Sequence, residues 1–130
     1  MASNINPWSR VVLVDGDNTG PEQLSCIVVP TDTLIIVDNN AGAAQRWEEL
    51  LQRSHHARYQ AVEKMPQATD LAMALLAGEL AGQHPETRNY PWLICSRDRD
   101  FQTLAQCLKH LAKIRVNPRP LGRGYKRAAR

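Results

Sequence analysis

Six aspartates stand where the chain leaves an apolar run or enters a helix. Asp15 and Asp17 lie in "VVLVDGDNTG", Asp38 closes "TLIIVD", Asp70 lies in "MPQATDLAMALL", and Asp98 and Asp100 lie in "CSRDRDF". Carboxylates gathered in one place repel one another and raise each other's pKa unless a cation sits among them. Mg²⁺ and Mn²⁺ select oxygen ligands, so a set of acids without Cys or His is the donor set expected for such an ion. Each motif also has a local explanation. "VDGDN" makes an ordinary strand-ending turn, Thr69 or Asp70 can cap a helix, and Ser96 or Asp98 can cap the next one. The chemistry depends on whether one fold brings all three motifs together.

Short apolar runs rich in β-branched residues alternate with helix-like segments, the pattern of βαβ units and a largely parallel sheet. Strands are expected at residues 10–15, 33–38, 57–62, 92–96 and, briefly, 114–116; the third is the weakest. Helices are expected at 21–28 with Pro21 in the first turn, at 43–54, at 68–82 as the most apolar helix, and at 100–113. The fold class is therefore α/β, with a mainly parallel central sheet in an order of about 3-2-1-4-5. Ligands in open parallel sheets bind beyond the carboxyl ends of the strands, near the point where strand order reverses. If the first and fourth strands are neighbours, Asp15 and Asp17 converge with Asp98 and Asp100.

The chain has 130 residues, of which 43% are apolar, enough for one core and not two. One domain over residues 1–116 is expected, followed by a basic, irregular tail over 117–130 with the sequence "NPRPLGRGYKRAAR". All thirteen acidic residues lie at or before Asp100, whereas eight of the sixteen Lys and Arg lie beyond it. The last thirty residues thus form a cationic element suited to a polyanion, or a solvated tail that keeps the chain soluble. Cys26, Cys95 and Cys107 have no CxxC spacing and read as reduced core or helix residues. No long uncharged apolar window and no leader-like N-terminus is present, so a soluble cytoplasmic protein without a membrane partner is expected.

In these residues the chain resembles the PIN-like nucleases, and within them the NYN-type branch. The resemblance runs from residue 10 to about 116 and rests on "VVLVDGDNTG", "MPQATDLAMALL" and "CSRDRDF" in that order. It implies a three-layer α/β/α fold and metal-dependent hydrolysis of phosphodiester bonds by an endoribonuclease acting on single-stranded or structured RNA, ahead of DNA. It implies Mg²⁺ or Mn²⁺ as cofactor. Asp15 would be the first metal ligand and Asn18 its polar helper, Asp70 the helix-borne acid, Asp98 the ligand after strand four and Asp100 its companion, with Asp17 a further candidate ligand. In this family the acidic pair is usually preceded by Gly or Asn, whereas here Arg97 and Arg99 flank Asp98; these either neutralise the pocket or grip the phosphate being cut. Lys109, Lys113, Arg115, Arg123, Lys126 and Arg127 would hold the nucleic-acid backbone, with Tyr125 available for stacking. A homodimer or a regulatory protein partner is also in keeping with the resemblance.

Two other readings start from the same residues. The first is a non-catalytic module that binds nucleic acid or protein on the same fold. The second is a haloacid-dehalogenase-type phosphatase, because "VVLVDGDNT" also resembles that family's Asp-x-Asp-x-Thr motif, with Asp15 as nucleophile and Asp17 as general acid. Strand two then ends in "DNN" where that family wants Ser or Thr, and Asp70 has no role. Dinucleotide binding lacks its closely spaced glycines.

Overall fold

The computed structural model of the protein describes residues 10–96 and 101–116. Four strands, β1 (Val11–Asp15), β2 (Thr33–Asp38), β3 (His56–Ala61) and β4 (Trp92–Cys95), form one sheet in the order β3-β2-β1-β4. Every pairing is parallel. Four α-helices accompany them: α1 (Pro21–Leu24), α2 (Glu48–Arg53), α3 (Ala68–Gln83) and α4 (Phe101–Leu111). The expected fifth strand is reduced, among the described residues, to a single parallel bridge between Trp92 and Val116. The α/β class and the first four positions of the expected strand order agree with the structure.

β1 is buried along its whole length, which explains why it reads as an unbroken apolar run without alternation. Its side chains nevertheless divide between two cores. Val11 and Leu13 point with Ile35, Val37 and Ile94 toward Met73 and Leu76 of α3 and Leu104 and Leu108 of α4. Val12 and Val14 point the other way, with Leu34, Ile36, Leu24 and Trp47. Helical segments thus cover both faces of the sheet, and the two central strands lie between them. Trp47 and Trp92 are both core residues, at 0% and 2% exposure. Of the cysteines, Cys95 is buried and Cys26 and Cys107 are exposed, all as free thiols.

Several boundaries differ from expectation. The first helix ends at Leu24 rather than near residue 28. The second begins as a 3₁₀ turn over Ala41–Trp47 and becomes α-helical only from Glu48. A 3₁₀ segment over Pro85–Asn89, not foreseen in the sequence, leads into β4 and accepts the indole N–H of Trp92 on the Thr87 carbonyl at 2.7 Å. No described helix is long and apolar enough to cross a membrane.

Candidate active site at the carboxyl ends of β1, β2 and β4

The register of β1 against β4 pairs Val14 with Cys95, so the next residues, Asp15 and Ser96, stand side by side. The Ser96 hydroxyl donates to Oδ2 of Asp15 at 2.7 Å. The same oxygen accepts from the Asn18 side-chain amide at 2.8 Å, and Oδ1 accepts from the backbone N–H of Asp17 at 3.2 Å. Asn18 N–H also bonds the Asp15 carbonyl at 3.2 Å, closing a turn over residues 15–18. The turn and the site are therefore one structure: the backbone reverses, and the reversal aims Asn18 back at the carboxylate. Asp15 is 3% exposed. Burial is the main cause that raises its pKa above 3.8, opposed by the Asn18 and Ser96 bonds and assisted by the neighbouring charge of Asp17.

Asp17 lies on the rim and joins three elements. Its Oδ1 accepts from the backbone N–H of Asn39, after β2, at 2.8 Å, and its Oδ2 from the hydroxyl of Thr69 at 2.5 Å. Thr69 is in the first turn of α3, next to the half-buried Asp70. Gln67 precedes the helix in the left-handed conformation, φ 63°, an unusual setting for a residue with a side chain. That turn brings the start of α3 to the end of β1. The end of β1 and the turn after it, which carry Asp15, Asp17 and Asn18, thus meet the first turn of α3, which carries Asp70.

Asp38 has a different role. Fully buried, it accepts from the Trp47 indole at 3.1 Å, the Tyr59 hydroxyl at 3.4 Å and the Asn40 backbone at 3.1 Å. Arg46 lies 3.6 Å from the same carboxylate, lies over the Trp47 ring at 5.0 Å from its centroid, and donates to the Gly16 carbonyl at 2.6 Å. Asp38 is an organising anion that ties β2 and β3 to the 3₁₀ turn, and burial together with Asp38 raises the pKa of Tyr59. A cleft of about 640 Å³ opens between Arg46 and the loop carrying Gly16, Asp17, Asn18 and Gly20.

Arg97, Asp98, Arg99 and Asp100 lie outside the described residues, as do Arg123, Tyr125, Lys126 and Arg127. Among the described residues no three His, Cys, Asp or Glu side chains form a group able to hold a metal ion. Lys109, Lys113 and Arg115 are exposed, but at the far end of α4, beside the start of β4. They are not brought to Asp15. Sequence reasoning missed Ser96, Thr69 and Arg46 as partners of the site. Ser96 was accessible in principle, since aligning the carboxyl ends of two neighbouring strands sets it beside Asp15; Arg46 had no local signal.

Comparison with protein-family models, with curated proteins and with solved structures finds no match for this chain.

Proposed function

We propose that the protein is a divalent-metal-dependent nuclease, an endoribonuclease acting on single-stranded or structured RNA, built on a PIN-like three-layer α/β/α fold of the NYN type. The observation that carries this reading is the pair of bonds from Ser96 to Asp15 and from Thr69 to Asp17. Through them the beginning of the "SRDRD" segment and the first turn of α3 meet the aspartates that follow β1. A parallel sheet with β1 and β4 adjacent offers its ligand site at that end.

Asp15 has the chemistry of a cation ligand. Three donors fix the direction of its carboxylate, leaving acceptor capacity on Oδ1, and burial raises its pKa despite those bonds. In the proposed site Asp15, Asp70, Asp98 and Asp100, with Asp17 at the rim, hold Mg²⁺ or Mn²⁺. When bound, the cation supplies charge to the phosphate oxygens and lowers the pKa of water. Asn18 and Ser96 keep Asp15 aimed, while Arg97 and Arg99 grip the phosphate. Lys109, Lys113 and Arg115, lying away from the acids, hold RNA flanking the cut, and the basic tail extends that contact.

Labelled single-stranded RNA and DNA incubated with Mn²⁺, Mg²⁺ or EDTA test the reading, with wild type compared with Asp15→Asn. Cutting of RNA that needs the metal and is lost in the variant is the expected result. Metal-independent cutting, or binding without cutting in wild type under every condition, would overturn it in favour of a binding module.

A further inference from the structure

The helix α3 is apolar on two faces. Met73, Leu76, Ala77 and Ala81 are buried against the sheet, whereas Leu71 and Leu75 are 62% and 74% exposed. Gly78 and Gly82 continue the exposed stripe at the spacing i, i+4, i+7, i+11, which keeps all four on one side of a helix. A Cβ added at either glycine would meet no atom within 4 Å. A helix that is apolar all round is ordinarily buried all round, and among the described residues only one side of α3 is covered.

The stripe is self-complementary in size. Its two leucines lie four residues apart in one half and its two glycines four residues apart in the other. We propose that α3 is a homodimer interface, in which two copies pack antiparallel about a two-fold axis passing between Leu75 and Gly78. Leu71 then packs on Gly82 of the partner subunit and Leu75 on Gly78 of the partner subunit. A two-fold interface must be complementary to itself, and this arrangement of large against small satisfies that condition in both directions at once. Glycine at the seam lets the helix backbones approach closely. The only charge between Leu71 and Gln83 is Glu79, which is paired with Arg58 at 2.8 Å, so close approach sets no unpaired like charges together. Antiparallel helices also oppose their dipoles favourably.

One helix of 16 residues, about 24 Å long, covers less than the roughly 800 Å² per partner of a standard interface. The dimer is therefore an exchanging one, with a dissociation constant on the order of micromolar. The two acidic ends point in opposite directions along the paired helices, so this inference stands whether or not the site cuts RNA.

Sedimentation equilibrium of the full chain over a range of concentrations tests it. A monomer–dimer equilibrium is expected for wild type. Gly78→Leu sets leucine against leucine and weakens the dimer by at least about tenfold. In the monomer the same change enters open space and replaces glycine by a better helix former, so its Tm stays level or rises. The double variant Leu75→Ala, Gly78→Leu exchanges large for small and returns the dissociation constant toward the wild-type value. A monomer at every concentration overturns the proposal, as does a dimer that Gly78→Leu leaves unchanged.

Discussion

At the end of β1 the carboxylate of Asp15 receives three hydrogen bonds but no cationic side chain within ion-pair distance among the described residues. Its pKa is raised chiefly by burial, so the native chain holds this proton more tightly than the unfolded chain does. Unfolding free energy therefore falls as pH rises from 3.8 through the raised native value, and levels off above it. Asp15→Asn removes that fall, and melting temperature recorded against pH reads the lost slope. The proposed metal site predicts that Mn²⁺ at a hundred times its Kd adds about 2.7 kcal/mol to wild type and nothing to Asp15→Asn. Asp38, one strand away, is instead held by Trp47, Tyr59 and Arg46. Asp38→Ala leaves the fully buried Trp47 indole N–H without its acceptor and costs about 2 to 4 kcal/mol in urea unfolding, with Arg46 contributing little because it is partly solvated.

The elements bring these residues together by close approach at the strand ends. Gly16 N–H bonds the Val37 carbonyl at 2.7 Å, and a Cβ at Gly16 would lie 2.8 Å from that carbonyl oxygen and 3.0 Å from the Asp38 Cβ. Gly16→Ala must push the β1 and β2 ends apart, at a cost of about 1 to 3 kcal/mol, and should reduce cleavage more than stability, since Asp15 and Asp17 flank the displaced residue. Comparing kcat with the unfolding free energy of that variant checks it; unchanged cleavage would mean that the turn has no part in catalysis. Elements whose pattern was local were legible beforehand. β2 matches its expected bounds because a β-branched run ends abruptly in Asp and two Asn. The 3₁₀ winding over Ala41–Trp47 was not legible, because its cause is tertiary: the indole of Trp47 must reach Asp38, and Arg46 must reach Gly16. Asp15 and Asp17 were legible from their place at a strand end, whereas the donors Ser96 and Thr69 depend on which strands and helices become neighbours.

Over the whole molecule, strand order was legible because parallel crossovers leave few topologies for four strands alternating with helices, while the extent of a fifth strand was not, since three residues carry too little pattern. Charge was the other global feature open to reading. The first hundred residues carry thirteen acids and eight bases and the last thirty carry eight bases and no acid. A polyanion approaching the acidic end of the sheet meets repulsion, so its affinity must come from cations placed elsewhere. Five of those eight bases, Arg119, Arg123, Lys126, Arg127 and Arg130, lie beyond Val116. Each phosphate neutralised on a single strand adds about 0.7 to the slope of log affinity against log salt, so a chain ending at Val116 should show a slope shallower by up to about 3.5. Val116 keeps its bridge to Trp92 in that truncation. Titration of a labelled RNA at several salt concentrations measures the slope, and single-turnover cleavage at saturating protein measures the chemical step once RNA is bound. A shallower slope with an unchanged saturated rate assigns the tail to capture of the backbone; an unchanged slope would move the polyanion contact onto Lys109, Lys113 and Arg115 at the far end of α4.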